Sequence, residues 1–220
     1  MDASQLILLF LFKFIIVIPS IVFHEVAHGY AALWCGDPTA KYAGRLSFNP
    51  LKHVDLMGTV VIPLIMLIGS GGRFAFGYAK PVPINPYRFR DQRQGLLITG
   101  IAGPLANLAL AVGSGLIVRL LSLLPVETNA LLWVLDVGFQ FLCQINLWLM
   151  FFNLIPLPPL DGSRILQRFL PTSLRDSYHE LERYGFLIVI FVLFVMPGVL
   201  STYYAWTVMP IFRLLTGLAG

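Results

Sequence analysis

One stretch of this sequence is so apolar that it restricts the environments in which the chain can fold. From Leu6 to Trp34 nearly every side chain is hydrocarbon, and Lys13 is the only formal charge before a cluster at positions 24–28. A helix needs about 20 apolar residues to cross the hydrocarbon core of a bilayer. The runs 95–124 and 130–157 reach that length too, and a fourth begins near Gly185. The pattern predicts an all-α polytopic membrane protein.

Composition supports this class over a soluble one. The 220 residues are 57% hydrophobic and only 12% charged, which is little charge for a soluble domain of this length. We therefore expect one membrane-embedded domain over 1–220, with about four to six membrane helices. The run after Gly185 is broken at Pro197-Gly198, so it can form one kinked helix or two. The two cysteines, Cys35 and Cys143, have no metal-ligand spacing, and we expect packed free thiols.

The apolar segment 55–69 is short for a membrane span and contains Pro63. It can cross the membrane, or dip in and return as a short membrane-associated β or re-entrant segment. If it does not cross, the basic residues of loops 36–94 and 158–184 share one face, and the turn 125–129 on the other face has none. The positive-inside rule favours that arrangement. It predicts an outside N-terminus and cytoplasmic polar loops, and the modest net charge of +4 gives no reason to expect a nucleic-acid partner.

The cluster His24-Glu25-Val26-Ala27-His28 places ionisable groups inside the first apolar run. Such groups are costly at membrane depth and are kept mainly where they pair, bind a ligand or react. Residues four apart share one face of a helix, so both imidazoles can bind one metal ion, with Glu25 beside it as a general base. The spacing predicts an intramembrane zinc site.

A catalytic zinc usually has three protein ligands and an open position, so a third ligand is needed. Asp161 is a stronger candidate than His53 or His179, because it follows a helix that ends at Pro156, Pro158 and Pro159. Non-helical backbone at membrane depth occurs only where protein or a water-filled cavity satisfies it. The alternative is that Asp161 is the N-cap of a helix over 163–169.

Three motifs together resemble the site-2 protease family of intramembrane zinc metalloproteases. They are His24-Glu25-Val26-Ala27-His28, Gly103-Pro104-Leu105-Ala106-Asn107, and Asn153 through Gly162, which is similar to that family's Asn-x-x-Pro-x-x-x-Leu-Asp-Gly pattern. The resemblance implies one zinc ion held by His24, His28 and Asp161, with Glu25 as the acid/base residue. It also places Asn153 near the scissile carbonyl. No peptide-binding insertion or C-terminal nucleotide-sensing domain is expected, so the resemblance is to the minimal catalytic core.

The two asparagines have structural as well as catalytic interpretations. Small residues recur at Ala102, Ala106, Ala109 and Gly113, a stripe that lets another helix approach closely. Asn107 lies beside this stripe and can be either an interhelical hydrogen-bonding group or part of the site. The Asn153 amide can donate to a developing oxyanion or make a purely structural hydrogen bond.

A substrate helix must unwind before cleavage, and an exposed strand edge can bind the extended chain. The segment 74–85 contains Tyr78, Lys80 and Pro81 and can supply that edge, as in the family, or be a proline-rich loop at the headgroups. His53 can line an access path, although a position at headgroup level is the simpler expectation.

The sequence therefore predicts a zinc endopeptidase that cuts a transmembrane protein or peptide substrate near the cytoplasmic leaflet. In this family such cleavage releases a cytoplasmic regulator or clears a membrane remnant. Its partners would be the lipid bilayer, the substrate and a separate regulatory membrane protein, in a bacterial or archaeal cell membrane. The rival hypothesis is a transporter or channel for metal ions or protons, which also uses intramembrane His, Glu and Asp.

Overall fold

The computed structural model describes residues 3–63, 65, 80–171, 173–174, 178, 181 and 184–218. The principal helices are α1 (Ala3–Trp34), α2 (Gln92–Leu121), α3 (Ala130–Asn153), α4 (Asp161–Phe169), α5 (Gly185–Val195) and α6 (Pro197–Thr216). Three of them, α1 over 11–34, α2 and α3, are long and apolar enough to cross a membrane. The predicted helical class is thus confirmed, while a total of four to six membrane helices stays a prediction.

Two of the long helices begin at polar caps in the loops. The Asp91 carboxylate accepts hydrogen bonds from the backbone N–H groups of Arg93 and Gln94 at the start of α2. The Asn129 side chain does the same for Leu131 and Leu132 at the start of α3. These caps satisfy N–H groups that a helix leaves unpaired at its first turn. They fix both helices at the turns where the sequence changes from polar to apolar.

Helix α2 is the centre of the bundle and packs against α1, α3, α4 and α6. Its buried face includes Gly100, Gly103, Asn107 and Ala111. The predicted stripe was wrong at its far end, since Ala109 and Gly113 are exposed. The stripe was predicted from small residue size alone, whereas the face that is buried also includes the larger amide side chain of Asn107. The close approach to α1 and α4 runs through Gly100 and Gly103.

The apolar core lies where α2, α3 and α6 meet. Among the described residues it includes the buried side chains of Ala111, Cys143, Leu147, Val208 and Phe212. Cys143 is fully buried there and Cys35 is half-buried, and both are free thiols as expected. This packing holds α6 against the helix that leads to Asp161.

The chain after Gly185 forms two helices, α5 and α6, which meet at Met196. The Tyr203 hydroxyl of α6 donates to the Phe151 carbonyl near the end of α3. A Cβ on Gly185 would lie 2.6 Å from the carbonyl carbon and oxygen of Pro158. The tail therefore closes around the proline-rich turn that follows α3.

The connection between α1 and α2 is mostly irregular in its described part. It contains a helical turn at Thr39–Tyr42, 3-10 turns at Pro50–Lys52 and Pro86–Arg88, and a π-helical turn at Leu56–Val61. Residues 80–85 have no regular secondary structure, and no strand occurs among the described residues of the connection. The predicted dip-in segment 55–69 is described at 55–63 and 65 and is helical over 56–63. Its remainder and positions 74–79 of the predicted strand edge lie outside the described residues, so the β or re-entrant expectation stays a prediction.

Candidate metal centre

Three buried side chains converge between α1 and the start of α4. The Nε2 atoms of His24 and His28 are 3.0 Å apart. They lie 3.1 and 3.2 Å from the same Asp161 oxygen, Oδ2. Each residue is at most 7% exposed. The structure thus brings together the three predicted metal ligands, which are 133 positions apart between His28 and Asp161.

The donor set fits a zinc ion. Ligands held about 2.0–2.1 Å from a tetrahedral zinc lie roughly 3.3 Å from one another, close to the separations observed here. His28 Nδ1 lies 2.7 Å from the Thr99 carbonyl, which can only accept a hydrogen bond. His28 Nδ1 therefore carries the proton, and in the neutral ring Nε2 presents a lone pair to the centre. Two imidazole nitrogens and a carboxylate oxygen form a normal zinc ligand set.

Gly103 provides the space for both imidazoles. A Cβ at this position would contact His28 Nε2 and would lie 2.6 Å from His24 Nε2. The next residue, Pro104, is buried inside α2 and lacks the N–H that would bond to the Gly100 carbonyl, on the turn that also carries Thr99. The Gly-Pro pair is therefore part of the site, a role that the sequence interpretation did not assign to it.

Asp161 reaches the centre because α4 starts in contact with two backbones. A Cβ on Gly162 would lie 2.5 Å from the Ile155 carbonyl oxygen, so only glycine permits this turn. A Cβ on Gly100 would lie 3.1 Å from the Asp161 carbonyl oxygen. The N-cap alternative is wrong, because Leu160 occupies the cap and makes no side-chain cap bond. Instead, Asp161 Oδ2 faces the imidazoles, and Oδ1 lies 3.4 Å from Arg164 Nη1.

The electrostatics keep Asp161 anionic. Burial works to raise the pKa of its carboxyl, but without a metal the His28 and His24 rings can carry protons toward it, and they outweigh burial and hold that pKa below its ordinary value. An anionic oxygen is the form that binds a divalent metal.

Glu25 is half-buried and accepts a hydrogen bond of 2.8 Å at Oε2 from the Val82 backbone N–H. The irregular segment 80–85, which contains Val82, is held by hydrogen bonds at both ends. At one end Arg45 Nη2 donates to the Lys80 carbonyl at 2.6 Å. At the other end the Asn85 N–H donates to the buried Asp37 carboxylate at 2.6 Å. The general-base candidate thus contacts a fixed backbone, which the sequence did not indicate.

Asn107 connects the centre to the bundle. Its Oδ1 lies 2.6 Å from His24 Nδ1, and its Nδ2 donates to Asn146 Oδ1 at 2.8 Å. Both alternatives for Asn107 hold in part, since it joins helices and also contacts a ligand. Sequence reasoning missed Asn146, although an amide within the apolar helix α3, two turns before Asn153, was a usable signal.

The remaining candidates lie apart from the three ligands. The Asn153 amide donates to the Leu149 carbonyl one turn earlier, so its catalytic role stays a prediction. His53 is buried and its Nε2 lies 2.7 Å from the Ser47 carbonyl, while its depth in the membrane stays a prediction. Lys80 and Pro81 are exposed, and the Lys80 N–H donates to the His53 carbonyl. Tyr78 and His179 lie outside the described residues.

Several proteins similar to this chain have names that describe a zinc metalloprotease. The family model for peptidase family M50 matches residues 126–196, a region that includes Asn153 and Asp161. YwhC of Bacillus subtilis, provisionally named a zinc metalloprotease, is 42% identical over 87% of this chain and 83% of YwhC.

Two further relatives have names of the same form. Rip2 of Mycolicibacterium smegmatis is 30% identical, and the match covers 81% of this chain but only 64% of Rip2. MJ0611 of Methanocaldococcus jannaschii is 28% identical over 73% of this chain and 72% of its own length. No solved structure gives a significant match. With a metal-ligand triad assembled from its HExxH helix and its Leu-Asp-Gly turn, the chain belongs to peptidase family M50, the site-2 metalloproteases.

Proposed function

We propose that this metalloprotease hydrolyses a peptide bond inside the transmembrane segment of another membrane protein. The observation that supports the proposal is the position of the ligands along α1. His24 lies roughly 15 Å along the helix axis from the end of α1 at Trp34. Because residues 11–34 are apolar enough to span a bilayer, a centre at that height would act below the lipid surface.

The proposed mechanism divides the work among a few side chains. Zinc bound by His24, His28 and Asp161 would supply a Lewis acid that lowers the pKa of a water molecule to roughly 7. Glu25 takes a proton from that water as it attacks the peptide carbonyl and then delivers the proton to the leaving amine. Because the Val82 N–H donates to Oε2, Oε1 is the carboxylate oxygen that we propose accepts the proton.

We propose that Asn153 stabilises the oxyanion after its side-chain amide exchanges one hydrogen-bond acceptor for another. Its amide now donates to the Leu149 carbonyl, and on substrate binding it would turn to donate to the developing oxyanion. One zinc ion per chain is sufficient for these steps.

The substrate binds in extended form along segment 80–85 and the residues before it, including Tyr78, Lys80 and Pro81. An unwound peptide needs partners for its backbone groups, and a segment outside regular secondary structure, such as 80–85, can provide them. Support comes from the contact between the Val82 N–H and Glu25, because a chain alongside this segment would pass the general base. His53 would serve only indirectly, through its carbonyl bond to the Lys80 N–H.

We place the protein in a bacterial or archaeal cell membrane, with the N-terminus outside and the polar loops in the cytoplasm. The relatives with matching names come from two bacteria and an archaeon, which supports this location. Cleavage near the inner leaflet would release a cytoplasmic regulator or clear a membrane remnant. A separate membrane protein would control access of the substrate, and the single domain would comprise residues 1–220.

The decisive experiment compares purified wild-type protein with Glu25→Gln. Both are assayed for bound zinc and for cleavage of a panel of transmembrane peptides in detergent or vesicles. We expect the variant to keep its zinc, because Glu25 is not among the three ligands, and to lose about 10²–10⁴-fold in cleavage rate.

A transport assay distinguishes the rival function. Zinc uptake or proton leak into sealed vesicles that persists in Glu25→Gln, with no peptide cleavage by either protein, would establish a transporter and overturn the proposal. Cleavage only in loops outside the transmembrane segment would contradict the intramembrane part alone.

A further inference from the structure

A connected row of uncharged polar side chains leads from His24 away from the metal centre. It runs from Asn107 on α2 to Asn146 on α3 and ends at Ser20 on α1. All three residues are 0% exposed. Buried polar groups are retained where they are hydrogen-bonded, and each group in this row has a partner.

The direction of these hydrogen bonds is fixed at the far end of the row. Asn146 Nδ2 donates to the Leu142 carbonyl at 2.8 Å and to Ser20 Oγ at 2.9 Å. A backbone carbonyl can only accept, so the nitrogen of the Asn146 amide must face Leu142. Ser20 Oγ agrees with this direction, since it donates its own proton to the Ile16 carbonyl.

The orientation of the Asn146 amide in turn determines the orientation of Asn107, which contacts the metal ligand His24. With its nitrogen facing Leu142, Asn146 presents Oδ1 to Asn107, and only the Asn107 nitrogen can bond to it. Asn107 is thereby held with its oxygen toward His24 Nδ1, 2.6 Å away. The His24 proton must then lie on Nδ1, which leaves Nε2 unprotonated toward the other two ligands.

We infer that Asn146 is a positioning residue for the metal centre, acting through Asn107 to fix the His24 tautomer that binds zinc. The inference rests on the zinc centre of the proposed function and extends it by a residue that contacts none of the three ligands. Without Asn146, the Asn107 amide loses the acceptor for its nitrogen and can turn that nitrogen toward His24.

The test measures zinc affinity by chelator competition in the purified protein. Asn146→Leu should weaken zinc binding by about 10-fold or more, the usual effect of removing an outer partner of a metal ligand. Gln140→Leu is the matched control, because this amide on the same helix donates to Asp136 and not to the row. It should leave zinc affinity unchanged.

A double variant separates positioning from packing. In Asn107→Asp, either carboxylate oxygen can accept from His24 Nδ1, so the orientation of the group no longer matters. Adding Asn146→Leu to Asn107→Asp should therefore change zinc affinity far less than it does in the wild-type background. An equal loss in both backgrounds would show that Asn146 acts by packing and would overturn the inference.

Nitrogen-15 NMR of the histidine side chains in zinc-free protein gives a second readout. At a pH high enough to keep the ring neutral, His24 should be protonated on Nδ1 in the wild type and should show a mixture of tautomers in Asn146→Leu. A pure Nδ1–H form in that variant, or wild-type zinc affinity, would refute the inference. Wild-type protein that binds no zinc would instead refute the proposed function, so the two failures are distinguishable.

Discussion

At the scale of single residues, Gly103 is the position where the metal centre leaves least room. An alanine usually stabilises a helix by roughly 0.5–1 kcal/mol relative to glycine. Gly103→Ala should do the opposite, because its Cβ would lie 2.5 Å from His24 Cε1 and also contact His28. We expect weaker zinc binding, loss of cleavage and a lower melting temperature, measured by chelator competition, peptide cleavage and thermal unfolding.

Gly113→Ala on the same helix is the control. A Cβ at Gly113 has no neighbour within 4 Å, so this variant should keep its zinc and its activity. If both substitutions behaved alike, close packing against the imidazoles would not be the reason for glycine at 103.

Asp161 provides a second residue-scale prediction. Asp161→Asn keeps the size of the side chain but removes the anionic charge that two imidazoles surround. Zinc affinity should fall by more than the roughly 10–100-fold that removal of an outer partner causes. The control is Asp136→Asn, since Asp136 accepts a hydrogen bond from Gln140 and lies outside the centre. Zinc affinity that is unchanged in Asp161→Asn would exclude Asp161 as a ligand.

The sequence predicted those functional side chains that occur at a fixed spacing or within a recognisable motif. His24 and His28 follow from the helical repeat, and Asp161 from the break after three prolines. Asn146 and Val82 were missed for different reasons. Asn146 acts through a partner on another helix, and Val82 contributes a backbone N–H that no side-chain pattern encodes.

At the scale of elements, the apolar runs predicted the three long helices to within a few residues at most ends. The exception is α3, which was expected to continue to 157 but ends at Asn153, before the first proline of the turn. The buried face of α2 was harder to predict. A stripe of small residues gives a helical spacing but not the direction from which the neighbours approach, so the exposed Ala109 and Gly113 were included.

Segment 80–85 gives a prediction about an element that has no regular structure. Val82→Pro removes the N–H that bonds to Glu25 and also changes the buried side chain. The neighbouring prolines at 81 and 83 already restrict the backbone here. A hydrogen bond to a charged group contributes about 1.5–3 kcal/mol. We therefore expect a loss of about 10–100-fold in kcat, with zinc affinity and KM little changed, in a peptide cleavage assay.

Val82→Ala is the matched control, because it shortens the same side chain and keeps the N–H. It should retain most of the activity, although the Val82 methyl that packs near Gly29 is lost. Equal losses in both variants would assign the effect to the side chain, and wild-type activity in Val82→Pro would show that the contact with Glu25 is dispensable.

At the scale of the whole molecule, α2 separates two sets of loops. Its 30 residues extend about 45 Å, so the turn after it at Val126–Thr128 and the loop before it at Pro86–Arg88 lie at opposite ends of the bundle. Asp161 returns to the end where α1 finishes and α2 begins, because α3 runs back alongside α2. The metal centre requires this arrangement, whichever side of the membrane that end faces.

The positive-inside rule predicts that this end faces the cytoplasm, and cysteine labelling tests that prediction. In a Cys35→Ala background, which leaves only the fully buried Cys143, single cysteines replace the exposed residues Tyr87, Glu127 and Pro171. A membrane-impermeant maleimide should label Glu127→Cys in intact cells, and Tyr87→Cys and Pro171→Cys only after permeabilisation. Labelling of Tyr87→Cys in intact cells would show that the protein has the opposite orientation in the membrane. Tyr87 and Pro171 flank helices that meet at the metal centre, so both are predicted to lie on one side of the membrane. Labelling from opposite sides would contradict that prediction.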